Sequence, residues 1–175
     1  AQDIADTAAE KLDILSAPAV CYSPSPFNMS FPGTISVSIE SFIEVVAEIA
    51  LSLKKHGFKL IYIVNAHGAN LEPLFSIKKK IKGISFHVRS WWDFEEVNLL
   101  RQKFYGEWEG MHATPSEIAI TQVNHRKITS NIASIKPRKL TLEYIAAHSG
   151  DRHGTPNEHR ASFPDGRVGS HSALA

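Results

Sequence analysis

Hydrophobic positions along the 175 residues change period several times, dividing the chain into alternating helical and extended stretches. Over residues 3 to 14, Ile4, Ala8, Leu12 and then Leu15 fall on one helical stripe, with Asp3 at a natural N-cap position. Ala17 to Tyr22 is a short apolar run that reads as a strand and would bury Cys21. From Ser23 to Thr34 the composition turns to Ser, Pro, Asn and Gly, a long loop of the kind that is usually functional in compact domains. Helical spacing returns from Ser38 to His56 through Phe42, Val45, Val46, Ile49, Ala50 and Leu53, with Ser38 as cap and Gly57 as stop signal. The run Lys59 to Val64 is apolar and β-branched enough for a buried parallel strand. Helix 71 to 82 and strand 84 to 90 follow it. This βαβ alternation predicts an α/β fold, three-layered, with a mainly parallel central sheet and helices on both faces. Asp93 to Tyr105 reads as a weaker helix and Thr114 to Val123 as a stronger one. After Ile145 the chain is rich in Gly, His, Arg, Asn and Pro up to Ser170, an ordered lid or interface segment. No internal repeats are read.

Composition narrows the class. With 43% hydrophobic and 21% charged residues the chain can bury one sizeable core, and a single domain over 1–175 is expected. The formal charge is +1, and the densest basic run, Lys78-Lys79-Lys80, reads as a solvated helix face, so no nucleic-acid partner is expected. The lone Cys21 excludes an internal disulfide framework and fits a reducing compartment. No stretch approaches the roughly 18 apolar residues that span a bilayer, and no basic-then-apolar leader opens the chain. A soluble, cytoplasmic protein without a membrane partner is the expectation. The opening Ala1-Gln2-Asp3, without Met, and the abrupt close on Ser172-Ala173-Leu174-Ala175 suggest that both ends are cut.

Two histidine-bearing loops hold the candidate chemistry. Asn65-Ala66-His67-Gly68-Ala69-Asn70 follows the strand 59 to 64 and precedes a helix, a strand-to-helix turn of the kind where open α/β sheets bind ligands. Small neighbours let a ligand approach the backbone, and a neutral imidazole there can hold a borderline divalent metal; the alternative is a turn histidine bonded to backbone. In Gly110-Met111-His112-Ala113-Thr114-Pro115-Ser116-Glu117, threonine, proline and glutamate stand as N-cap, first and third helical residues of a capping box, which gives Glu117 a structural task. His112 lies just before the helix start, where positive potential favours its neutral form, able to accept a proton or ligate a metal. One of Trp91 and Trp92 is expected in the core, whereas Trp108, in a loop, is the better pocket-lining candidate. A Gly-rich phosphate loop, a G-x-S-x-G elbow and a C-x-x-C pair are all missing, so nucleotide-binding and serine-hydrolase readings lose their usual support.

Phe31-Pro32-Gly33-Thr34-Ile35-Ser36, the Asn65-x-His67-Gly68-x-Asn70 turn, Trp92-Asp93-Phe94 and His112-Ala113-x-x-x-Glu117, in this order, closely resemble the creatininase (creatinine amidohydrolase) family. The tail Phe163-Pro164-Asp165-Gly166-Arg167-Val168-Gly169-Ser170 is similar to members that carry His-Ala-Thr-Pro-Ser-Glu. The resemblance covers nearly the whole chain. It implies a metal-dependent hydrolase of carbon-nitrogen bonds, an α/β fold, two divalent metal ions (zinc, manganese or iron) and a homo-oligomer, usually a hexamer. On this resemblance Asp3 matches the metal-bridging aspartate and His67 a metal-ligating histidine. His112 matches the catalytic histidine and Glu117 the glutamate five residues after it, a catalytic residue and candidate metal ligand. Trp92, Trp108 and Asn70 are the substrate-side candidates. The family's Glu-x-His ligand pair lies just upstream of the aspartate, before Asp3. Ala69 stands where creatininase itself carries a metal-binding glutamate, which points away from creatinine and makes Glu117 the candidate replacement.

The reading is therefore a creatininase-like amidohydrolase acting on a small-molecule, non-peptide or cyclic amide, with water activated by metal and His112 as proton shuttle. The rival is a non-catalytic small-molecule-binding or assembly protein on the same fold, in which Glu117 and Asp3 cap helices and His67 shapes a turn.

Overall fold

The computed structural model describes residues 1–125 and 135–175. Contacts divide the chain into two compact units, Ala1–Pro26 with Ile35–Phe94 and Phe27–Thr34 with Glu95–Ala175.

The first unit contains α1 (Gln2–Leu12), α2 (Ile39–Lys55), β1 (Leu60–Asn65), α3 (Leu71–Lys80) and β2 (Ser85–Ser90). β1 and β2 pair in parallel, Leu60 opposite Ser85 through Asn65 opposite Ser90, with α3 as the crossover that a parallel pair requires. The α/β class is thus present as a small two-stranded parallel sheet among the described residues. Its core is one apolar stripe of α2, Phe42, Val46 and Ala50, packed with Leu74 and Ile77 of α3, with Ile81, and with Phe86 of β2. Full burial of each such side chain is worth about 1.5–3 kcal/mol. Ser38 caps α2 as its sequence predicts, its hydroxyl accepting from the Ser41 amide at 3.1 Å. Lys78, Lys79 and Lys80 are exposed on the last turn of α3, the solvated face expected of them.

Four expectations are corrected here. Residues 17 to 22 form no strand, because their backbone groups enter no ladder. Cys21 is consequently exposed rather than buried. Asp3 is not an N-cap: Ala1 takes that place and Asp3 lies in the first turn of α1, where its charge complements the positive helix end. β1 is not buried on both faces. Ile61 and Ile63 turn to the core, while Leu60 and Tyr62 are 55% and 50% exposed.

The second unit contains α4 (Glu95–Phe104), α5 (Pro115–Asn124), α6 (Leu142–Ala147) and α7 (Pro156–Ser162). The tail after Ile145 is therefore ordered but partly helical. Its Arg167-Val168-Gly169-Ser170 stretch is buried, and Val168 forms an antiparallel bridge with His112. No helix among the described residues is long and apolar enough to cross a membrane.

Candidate functional site

In the first unit, Asn65 organises the turn that carries His67. Asn65 is 3% exposed, and its amide nitrogen donates to the His67 carbonyl at 2.9 Å and to Ser90 Oγ at 3.0 Å. Its oxygen accepts from the His67 amide at 3.3 Å and from Asn70 Nδ2 at 3.2 Å. One buried side chain thus ties the end of β1 to the end of β2 and sets the chain direction through His67. The His67 ring lies with Nε2 3.1 Å from the Pro24 carbonyl, a contact that calls for the Nε2–H tautomer and leaves Nδ1 as the lone-pair nitrogen. Asn70 Oδ1 is buried without a hydrogen-bond partner among the described residues. Trp91 is the core member of its pair, packed edge-on against the half-buried Trp92 at 5.8 Å. Asp3 is exposed on α1.

The second unit holds His112, Glu117 and Trp108. The loop ahead of α5 is fastened on both sides of His112. Met111 donates its amide to the Val168 carbonyl at 2.8 Å, Val168 returns a bond to the His112 carbonyl at 3.3 Å, and Ser172 Oγ donates to the Ala113 carbonyl at 2.7 Å. Gly110 lies against this tail in a left-handed conformation (φ 67°), and a Cβ there would come within 2.5 Å of the Ser170 nitrogen. Ala113 is also left-handed (φ 55°), a conformation that costs an ordinary residue energy and turns the chain from His112 into the helix cap.

The capping box expected at Thr114 forms. Glu117 Oε2 accepts from the Thr114 amide at 3.0 Å and hydroxyl at 2.9 Å, and the Thr114 hydroxyl accepts from the Glu117 amide at 3.2 Å. Burial nevertheless pushes the Glu117 carboxyl above its usual range, against the two Thr114 hydrogen bonds, with Asp151 and Glu109 adding repulsion. Glu109 is itself buried, held by Arg101 Nε at 2.9 Å and by a short bond from Ser116 Oγ. Trp108 lies beneath Lys136, whose ammonium is 4.4 Å from the ring centre, and edge-on to His171.

The His112 ring stands edge-on to Phe27 at 5.5 Å, and Asn28 Nδ2 approaches its Nε2 at 3.5 Å. With Asn28 as the donor, the Nε2 lone pair is the acceptor and the proton sits on Nδ1, so the basic nitrogen of the neutral ring is the one facing the Asn28 amide. Around the same Phe27 lie two histidines that the sequence analysis passed over, His153 and His159, each with its ring centre 4.9 Å from Phe27. A signal for them was present. His153-Gly154-Thr155-Pro156-Asn157-Glu158 repeats the H-x-T-P-x-E spacing of His112 to Glu117, a short echo in a chain read as having no repeats. His159 is 1% exposed and its imidazole is pushed down to about 4, first by desolvation and then by His153 and His112, so it is neutral through the physiological range.

Among the described residues no three His, Cys, Asp or Glu side chains are gathered to hold an ion. Asp3 is exposed, His67 turns Nε2 to a carbonyl, and one Glu117 oxygen is committed to the cap. The described residues thus do not by themselves make an ion site.

No curated protein matches the chain. The family model described as creatininase, creatinine amidohydrolase, matches residues 1–174. With essentially the whole length matched, the chain belongs to the creatininase family.

Proposed function

We propose that this protein hydrolyses the carbon-nitrogen bond of a small non-peptide or cyclic amide, with His112 as the residue that takes a proton from attacking water and returns it to the leaving nitrogen. The observation that carries the reading is the placement of His112: a backbone clamped by the Val168 bridge, and a ring edge-on to Phe27 with Nε2 3.5 Å from the Asn28 amide nitrogen. A positioned general acid and base of this kind contributes about 10²–10⁴-fold. Trp108 and Trp92 are the substrate-side aromatic candidates, and Asn70, with its buried unsatisfied oxygen, is suited to receive a substrate N–H. Asp3, His67 and Glu117 are the residues that the family resemblance assigns to two divalent metal ions. Glu117 also serves as the α5 cap, and the raised carboxyl makes it a second candidate for carrying a proton. A homo-oligomer and a three-layer sheet belong to the same reading.

The test is turnover of the full chain on a panel of cyclic amides, open-chain formamides and short peptides, with zinc, manganese or iron supplied in turn. His112→Ala should lower kcat about 10²–10⁴-fold with little change in KM. Equal turnover by His112→Ala, or none by the parent on any amide, would return the protein to the binding or assembly role. The formed capping box favours that second reading for Glu117 alone.

A further inference from the structure

The segment from Thr141 to Phe163 holds α6, the loop after it and α7. A helix of a folded domain normally docks through an apolar stripe. Here α6 contributes no buried residue and α7 only His159. Among the described residues of the segment three side chains are buried, His153, His159 and Phe163, at 5%, 1% and 5% exposure. Two of the three anchors are therefore imidazoles. The bonds that tie α7 to the loop 27–34, from the Ser30 hydroxyl to Asn157 and from Arg160 to the Ser30 carbonyl, both 3.1 Å, are exposed.

Both buried imidazoles meet Phe27, their ring centres 4.9 Å from its own, and Phe27 also receives the His112 ring at 5.5 Å. His159 lies 5.2 Å from His153 and 6.2 Å from His112, and His153 stacks on His148 at 5.7 Å. Four histidines thus stand in ring contact within the second unit. Among the described residues the carboxylate acting on His159 is Asp151, whose oxygen is 3.5 Å from His153 Nε2. Tyr144 of α6 brings its hydroxyl to 3.5 Å from His153 Nδ1, and Glu117 of α5 feels the Asp151 charge. Phe31 and Phe163 face His159 with uncharged rings. Both ring nitrogens of His159 lack a hydrogen-bond partner among the described residues. Phenylalanine or leucine would fill such places without stranding polar atoms, and would hold at any pH. One carboxylate balances one imidazolium. A further proton sets like charges against each other in a place shut off from water.

We propose that the segment 141–163 is an acid-released arm, docked by neutral imidazoles and let go when they gain protons, which uncovers Phe27 and one side of the His112 ring. The sign follows from burial. His159 takes a proton near 6.5 when free and at about 4 when docked, so the released form binds the proton first and gains population as pH falls from about 6.5 towards 4. Between pH 7.5 and 5 this one residue raises the opening constant of the arm about 30-fold. Such release is independent of what His112 does chemically.

The experiment is amide hydrogen exchange of the full chain at pH 7.5, 6 and 5, read by mass spectrometry and corrected for the intrinsic pH dependence of exchange. Amides of α6 and α7 should open about 30-fold more at pH 5 than at pH 7.5, while those of β1 and β2 in the first unit change far less. His159→Phe, an anchor of similar shape that takes no proton, should remove most of that increase, and His159→Leu serves if the phenylalanine variant does not fold. Equal increases in the arm and in the β1–β2 pair of the parent would overturn the proposal, because the loss would then be global. So would a parent arm that opens equally at all three pH values, or an arm that opens with acid as strongly in a folded His159 variant as in the parent.

Discussion

His159 should make this protein acid-sensitive at a pH that an exposed histidine would tolerate. Its imidazole titrates near 6.5 in the unfolded chain and at about 4 when folded, because a buried ring bearing no hydrogen bond among the described residues resists charge. With the folded pKa below the unfolded one, the unfolded state binds the proton first. The contribution is therefore fully present above about pH 7 and is lost as pH falls from about 6.5 towards 4. Evaluating the two titrations gives a loss of about 2 kcal/mol at pH 5 and about 3 kcal/mol at pH 4, large against a typical domain stability of about 5–15 kcal/mol. The assay is urea unfolding of the parent and of His159→Phe at pH 7.5, 6 and 5, with the difference between the two curves compared across pH. Comparing differences cancels the titrating groups that do not couple to His159, Glu117 among them, and leaves His159 with its coupled neighbours His153, His112 and Asp151. The parent should lose about 2 kcal/mol more than the variant between pH 7.5 and 5. Parallel pH dependences would refute the reasoning, showing His159 to be solvated or partnered in solution.

Glu117 has the opposite sign. Its folded carboxyl lies above the ordinary value of 4.5, so the native state holds the proton more tightly and stability falls as pH rises through that window. Glu117→Gln, which keeps an acceptor for Thr114, should flatten that fall in the same urea series. Thr114→Ala removes the N-cap oxygen and should cost about 0.5–2 kcal/mol of stability, read as a lower urea midpoint with unchanged slope. Gly110→Ala should cost about 1–3 kcal/mol through collision with the Ser170 backbone and the left-handed φ, and should raise amide exchange at Met111 and Val168. Asn65→Ala should cost about 1–3 kcal/mol by stranding the partners of its amide, with faster exchange at the His67 amide as its local signature.

The sequence by itself determined those elements whose causes are local. Ser38 before the α2 stripe, the Lys59 to Val64 run, and Thr114-Pro115-x-Glu117 each carry their own start signals, and each forms its element within a residue or two. The parallel pairing of β1 with β2 followed from a helix-length crossover between two apolar runs. The placement of His67 after a strand and His112 before a helix followed for the same reason.

Tertiary structure decided everything that depends on a partner far along the chain. Residues 17 to 22 have the apolar run of a strand, yet a strand exists only where a neighbour accepts its backbone bonds, and Cys21 is left exposed. Asp3 lost its cap because the helix starts at Gln2, two residues earlier than its apolar stripe indicates. Asn65 reads as an ordinary turn residue until Ser90, 25 residues away, closes its network. The histidine trio around Phe27 draws on residues 27, 112, 153 and 159, and its shared H-x-T-P-x-E spelling gains meaning only when both copies are seen to face one ring. Helix caps and strand runs are determined within a few residues. The clamp on His112 joins residues more than fifty apart, and the depressed proton affinity of His159 combines its burial with its neighbour His153 and the distant His112, which no local pattern encodes.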